Sequence, residues 1–136
     1  MASIADSQNN NNGDILNNLQ KVLLAALSSD RDQQKSAEKQ INETMKDENG
    51  YGHALILISI DQNRPYSARH MALTVLKRYI SEAWLFVPRN EKKAFHPDEK
   101  TIIKELSIKG LGMDMEIIRT GFGMVVAEIA KYDWPD

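Results

Sequence analysis

Three histidines are the side chains best suited to catalysis or metal binding, but their positions support neither. His53, His70 and His96 fall on three different predicted elements, with no metal-ligand spacing among them. The chain has no cysteine, which excludes disulfides, thiolate nucleophiles and cysteine zinc sites. No nucleophile elbow, phosphate-cradling glycine loop or paired-carboxylate motif stands out. The sequence therefore favours a binding protein, since an enzyme would need a pocket with a shifted titratable group.

Composition narrows the class of protein further. The chain has 136 residues, 42% of them hydrophobic, and a net charge of −2, as expected for one globular domain without the basic field that nucleic acid or an anionic membrane would attract. Residues 1–13 are polar, include an asparagine run and lack the features of a signal peptide, so we predict a disordered lead. The longest apolar run, Ala54–Ile58, is too short to cross a bilayer. The composition predicts a soluble chain of the cytosol or nucleus.

Apolar residues at spacings of three and four predict helices in the first part of the chain. We expect the first helix to begin at about Asp14, with this apolar face: Ile15, Leu16, Leu19, Val22, Leu23, Ala26 and Leu27. Asp30 and Gln33 resemble a capping box that opens a second helix. Its apolar stripe is narrow and consists of Ala37, Ile41 and Met45. A helix this polar is expected at an edge of the fold.

The segment Leu55–Ile60 fits either a buried strand or a short buried helix, because periodicity alone does not separate the two. The surrounding segments are helical and the chain has no second strand-like run to pair with it. A helix is therefore favoured, and the predicted fold is all-α.

Three more helices are predicted in the second half. Pro65 falls in the first turn of a long helix, and Pro97 with Asp98 and Glu99 begins the next, which Gly110 and Gly112 end. The last helix runs from about Asp114 to Tyr132, with these residues inward: Ile117, Ile118, Phe122, Val125, Val126, Ile129 and Ala130. Gly121 and Gly123 inside it indicate close helix contact or local weakness.

Six helices taken as three pairs suggest an internal repeat. The second helix of each pair carries a polar residue followed by apolar ones three and seven positions later, in the sets Gln34/Ala37/Ile41, Arg69/Ala72/Leu76 and Arg119/Phe122/Val126. Their separation is similar to that of two-helix solenoid repeats of roughly 40 to 47 residues. The spacing predicts an α-α superhelix of about three HEAT-type pairs, with an ordinary six-helix bundle as the alternative. Trp134-Pro135 then reads as a turn into a further helix of a longer array.

Three stretches make the chain similar to the N-terminal region of the importin-beta superfamily, the karyopherins. They are "AEKQI" from Ala37, "LKRYISEAW" from Leu76 with Arg69 and Ala72 before it, and "IAKYDWP" from Ile129 with Arg119 before it. Order and spacing agree across residues 15–136, and among the branches these stretches look most like importin-nine. Gly121 and Gly123 depart from the expected pattern, since better helix formers are usual there.

The resemblance implies a nuclear transport receptor without cofactor or metal, which shuttles between cytoplasm and nucleus through the pore. Its N-terminal HEAT repeats would bind Ran-GTP, which competes with or strains the receptor against import cargo. The implied cargo is a basic protein such as a histone or ribosomal protein, and nucleoporin FG repeats are a further implied partner. Second helices of such solenoids line the concave face, so their outward polar residues are the Ran or partner contacts: Arg69, Lys77, Arg78, Glu82, Arg119, Glu128 and Lys131.

Each candidate contact has a plainer interpretation as well. Lys77, at the family's "LK" position, is the first choice, although such lysines are often only solvated, and repeat arginines often join neighbouring pairs. Trp84 and Trp134 could receive phenylalanines of nucleoporins, but packing is favoured. The basic loop with Arg89, Lys92 and Lys93 is more simply a solvated loop. A HEAT adaptor that does not bind Ran is the alternative function.

Overall fold

Six helices make up the computed structural model, which describes residues 2–47, 49–85 and 95–133. They are α1 (Ala2–Ala25), α2 (Arg31–Asp47), α3 (Tyr51–Ile60), α4 (Tyr66–Ala83), α5 (Pro97–Gly110) and α6 (Glu116–Asp133). No strand occurs in these ranges, and Leu55–Ile60 lies in α3, as predicted. Helix α1 begins at Ala2 and not at the expected Asp14. Disorder of residues 1–13 stays a prediction.

The helices pack as stacked pairs. Helix α3 packs on α4 and α5 on α6, while α4 lies along α6 and α3 along α5, so that like helices of the second and third pairs are neighbours. Helix α1 packs on α2 and on both helices of the second pair. This is the α-α superhelix of HEAT-type pairs that the sequence predicted. Its second helices, α4 and α6, run side by side.

One continuous apolar core runs through all three pairs, from Leu23 in α1 to Ile129 in α6. The predicted stripes supply much of it: Ala37, Ile41 and Met45 of α2 are buried, as are Ile118, Phe122, Val125 and Ile129 of α6. Ile117 was predicted to face inward, but it is 43% exposed. The buried stripe of α6 starts one residue later, at Ile118, so Ile117 lies at the exposed edge of the apolar face.

The start of α2 shows a variant of the expected capping box. Asp30 Oδ1 accepts from the backbone N–H groups of Asp32 (3.0 Å) and Gln33 (3.5 Å), as an N-cap does. The return bond comes from outside the predicted pair: Ser28 Oγ accepts from the N–H of Asp30 (3.0 Å) and donates to Gln33 Oε1 (2.9 Å). Ser28 therefore completes the cap.

Two glycines allow helices to approach closely. A Cβ on Gly110 would lie 2.2–2.4 Å from three ring atoms of Phe122, which fixes α5 against α6. A Cβ on Gly121 would lie 2.8 Å from Leu73 Cδ1, where α6 meets α4. The close contact suggested for Gly121 is confirmed, whereas Gly123 has only ordinary contact space.

Two arginines join the first pair to the second. Arg64 forms an ion pair with Asp61 (3.1 Å) and donates to Asn17 (3.1 Å) and Gln20 (2.8 Å) of α1. Arg78 of α4 is the second of these arginines, and its guanidinium contacts Glu38 and Asn42 of α2.

None of the described helices is long and apolar enough to cross a membrane.

Candidate functional site

Helix α4 carries four of the predicted contacts, and three of them, Lys77, Arg78 and Glu82, lie on its polar face. Lys77 is half-buried and Glu82 is exposed, and neither forms an ion pair within the described part of the chain. Arg78 is held at α2: its Nη1 lies 3.8 Å from Glu38 Oε2 and its Nη2 donates to Asn42 Oδ1 (3.2 Å). Lys77 and Glu82 are therefore the two charges of α4 that are left for a partner.

Arg69 does not face away from the apolar stripe, and that prediction is wrong. The residue is 4% exposed, its Nε donates to the carbonyl of Ser59 (2.9 Å), and its Nη2 lies 3.8 Å from Met113 Sδ. Burial lowers the pKa of Arg69, while the charge of Asp61 opposes the shift. The guanidinium is buried because these acceptors meet it where the second pair packs on the third. It thus acts as a cross-link, the plainer interpretation given above.

The outward position predicted for Glu128 on α6 is also wrong. Its side chain is 5% exposed, pairs with Lys131 Nζ (3.3 Å) and lies 3.2 Å from the hydroxyl of Tyr132. That hydroxyl is 3.4 Å from the carbonyl of Ser81 on α4. Burial, followed by the charge of Glu128, raises the pKa of Tyr132. Glu128 therefore faces the contact that Tyr132 makes between α6 and α4, and not the outer surface.

Lys131 and Arg119 are both exposed on α6. Lys131 reaches back to Glu128, whereas Arg119 Nη1 donates to the carbonyls of Met113 (2.9 Å) and Asp114 (3.3 Å) in the turn before the helix. Arg119 is therefore tied to its own turn. The Lys131 side chain is 66% exposed although it pairs with Glu128.

Trp84 is a packing residue, as favoured from the sequence. It is 1% exposed, and its Nε1 donates to Asp133 Oδ1 (2.9 Å) at the end of α6. Lys104 forms an ion pair with the same carboxylate, and Lys100 Nζ lies 5.1 Å from the centre of the Trp84 ring. This cluster locks α6 to α4 and α5. Trp134, Arg89, Lys92 and Lys93 lie outside the described residues.

Asp133 has a pKa below its usual range. Burial alone would raise it, but the hydrogen bonds from Lys104 and Trp84 and the charge of Lys104 together outweigh burial. The sequence singled out Asp133 only as part of the "DWP" motif. Nothing in the local pattern shows which distant residues an acid at the end of a helix will meet.

Glu99 is a second residue whose role the sequence did not reveal. It was expected to interact with the dipole of α5, but it is buried and its Oε2 accepts from the N–H of His53 (3.1 Å) in the first turn of α3. There it satisfies a backbone donor that the helix leaves free. Beside it, the tilted ring of Tyr79 has its centroid 4.4 Å from that of Phe95 and 6.0 Å from that of Tyr51. Burial raises the pKa of Tyr51 to about 12.

The structure places no catalytic arrangement among these residues. No group of three or more histidine or acidic side chains that could hold a metal occurs in the ranges that the structure describes. His96 caps α5, where its Nδ1 accepts from the N–H of Asp98 (3.1 Å). The adjacent helices α4 and α6, with α2 reached through Arg78, carry exposed side chains of both charges.

Two comparisons with known proteins bear on the family of this chain. The family model of the importin-beta N-terminal domain matches residues 37–112, more than half of the chain. A chain of the solved Kap95:Nup1 complex has a similar fold, with a TM-score of 0.72 and 19% identity over 88% of this chain. The match covers 15% of that longer chain, and no curated protein sequence is significantly similar. This chain belongs to the importin-beta N-terminal domain family.

Proposed function

We propose that the chain is the N-terminal part of a nuclear transport receptor that binds Ran in its GTP form through the face of α2, α4 and α6. Family membership supports a karyopherin-type receptor. The observation that carries the Ran proposal is Lys77, a cation on the central helix of this face that is half-buried and has no ion-pair partner within the described residues. Such a group is available to a carboxylate or phosphate of a partner.

The binding face as proposed differs from the set expected from sequence. Lys77 and Glu82 form its centre, with Lys131 on α6, whereas Arg78 is shared with α2. Arg69 and Glu128 are used in packing, and Arg119 in its own turn. Their part in binding is therefore proposed to be indirect, by holding α4 and α6 in register.

The remaining partners follow from the same proposal. A receptor of this class would carry basic proteins such as histones or ribosomal proteins and would shuttle between cytoplasm and nucleus. Nucleoporin binding is proposed because the similar solved chain is in a complex with Nup1. We also propose the importin-nine branch for this chain, which the three stretches quoted above support.

A titration with Ran tests this function. Ran loaded with a non-hydrolysable GTP analogue should bind and Ran-GDP should not. Lys77→Glu should weaken binding by roughly tenfold or more, because it sets two like charges at a contact that we propose to be complementary. The control is Lys109→Glu on α5, which makes the same charge change on a first helix and should leave affinity unchanged.

Two outcomes would decide against the proposal. Absence of binding to either form of Ran would favour the alternative of a HEAT adaptor that does not use Ran. Binding that is equal for the wild type and Lys77→Glu, with both folded by circular dichroism, would remove Lys77 from the site.

A further inference from the structure

The turn between α5 and α6 carries a methionine whose sulfur meets two hydrogen-bond donors of the second pair. Met113 Sδ lies 3.5 Å from Nε2 of Gln62 and 3.8 Å from Nη2 of Arg69, and both N–H groups donate to it. The backbone carbonyl of Met113 accepts from Nη1 of Arg119 (2.9 Å), which holds the turn in place. The Met113 side chain therefore connects the third pair to the second.

The two donors differ in their access to water. Arg69 is 4% exposed, whereas the side chain of Gln62 lies at the surface. Among the described residues, the Arg69 side chain has one strong acceptor, the carbonyl of Ser59 (2.9 Å), and the thioether is the other. A thioether accepts only weakly, so this buried cation is poorly compensated on one side. A stronger acceptor at the sulfur would stabilise it.

Oxidation of the sulfur by a peroxide would supply that acceptor. A sulfur lone pair attacks hydrogen peroxide, the O–O bond breaks and an S–O bond forms. The sulfur loses two electrons and the peroxide is reduced to water. The product, methionine sulfoxide, is polar, and methionine sulfoxide reductases return it to the thioether. Met113 is half-buried and its Gln62 neighbour is exposed, so a small oxidant can reach the sulfur from that side.

We propose that Met113 is a site of reversible oxidation to methionine sulfoxide, and that the sulfoxide tightens the link between the second and third pairs. The new oxygen would accept from the guanidinium of Arg69 and the amide of Gln62, which already point at the sulfur. A hydrogen bond from a charged donor is roughly twice as strong as one between neutral groups. Met113 thereby differs from core methionines, whose oxidation disrupts packing. The inference is independent of Ran binding, because Met113 is not among the proposed Ran contacts.

Two chains that differ in one retained methionine test the inference. The first carries Met115→Leu and Met124→Leu and keeps Met113. The second carries Met113→Leu and Met124→Leu and keeps Met115, which is 43% exposed. Both are treated with hydrogen peroxide, peptide mapping by mass spectrometry measures the sulfoxide, and urea unfolding measures stability before and after treatment. In the first chain, the unfolding equilibrium constant should fall roughly tenfold on oxidation, and a methionine sulfoxide reductase should restore it.

The second chain is the matched control. Its sulfoxide forms on an exposed side chain, so its unfolding equilibrium constant should not change. Each chain is compared with itself before and after peroxide, so any effect of the leucine substitutions, which nearly conserve volume, cancels. The inference is overturned if Met113 stays unoxidised at a peroxide concentration that oxidises Met115. It is also overturned if the sulfoxide of Met113 leaves stability unchanged or lowers it.

Discussion

Asp133 illustrates how a single carboxylate organises one end of the molecule. It accepts from the Trp84 indole and pairs with Lys104, so it joins residues of α4, α5 and α6. Arg69 and Glu99 act in the same way elsewhere, each meeting a backbone group of α3. At the scale of residues, the polar side chains turned inward hold helix ends together.

Replacement of Asp133 by asparagine should expose this role. We expect Asp133→Asn to lower the free energy of unfolding at pH 7 by about 1.5–3 kcal/mol, the range for hydrogen bonds to charged groups. Because the folded pKa of Asp133 is lowered, its contribution is complete above the ordinary aspartate pKa of about 3.9 and is lost as the pH falls through the folded value. Urea unfolding from pH 7 to pH 3 measures the difference.

The control for this prediction is Asp114→Asn, at an exposed position whose side chain has no described partner. It should change stability little at either pH. A gap between wild type and Asp133→Asn that stays constant down to pH 3 would contradict the assigned ionisation.

Sequence periodicity predicted the apolar residues better than the polar ones. Ile118, Phe122, Val125 and Ile129 were found from spacing alone because one helix face determines their burial. The burial of Arg69 depends on the Met113 sulfur, which is distant in the chain and meets it only in the folded protein. A groove lined by Leu19, Ile41 and Tyr51 was not foreseen for the same reason, since residues of α1, α2 and α3 form it.

At the scale of elements, the packing of α5 on α6 depends on how close two helices can come. Gly110 lies against the fully buried ring of Phe122, where no side chain fits. Gly123 lies only two residues after the tight contact of Gly121 but has space for a methyl group. The sequence marked both α6 glycines as unusual, but only the structure distinguishes the one that is needed.

Two alanine substitutions should therefore have opposite effects. Gly110→Ala should destabilise the chain by about 1–3 kcal/mol, because the Cβ would overlap the Phe122 ring. Gly123→Ala should stabilise it by about 0.5–1 kcal/mol, since alanine loses less backbone entropy in a helix. Urea denaturation of both variants measures the effects, and a stabilised Gly110→Ala would show that the ring moves aside easily.

At the scale of the whole molecule, exposed apolar residues gather on the third pair. Ile108, Leu111, Met115, Ile117 and Met124 are all exposed there, and a small apolar crevice lies between Ile108 and Val126. In a solenoid such a surface is covered by the next pair. We therefore propose that this face is an inter-repeat surface of a longer array.

The chain alone should show the consequence of this open face. We expect concentration-dependent self-association or marginal thermal stability, because none of the described helices covers the face. Ile108→Lys should reduce self-association in sedimentation experiments, and Leu27→Lys, an equally exposed apolar position on the first pair, should not. A monomer with a high melting temperature that does not depend on concentration would contradict this prediction.

The interface between the first and second helix pairs differs from the interface between the second and third pairs. The polar links between the second and third pairs are buried, as the Arg69 guanidinium and the Trp84 indole show. Between the first and second pairs, which share the apolar core, the polar links are the partly exposed side chains of Arg64 and Arg78. Exposed ion pairs contribute little to stability and exchange readily with water. We therefore expect the chain under load to bend first between the first pair and the second.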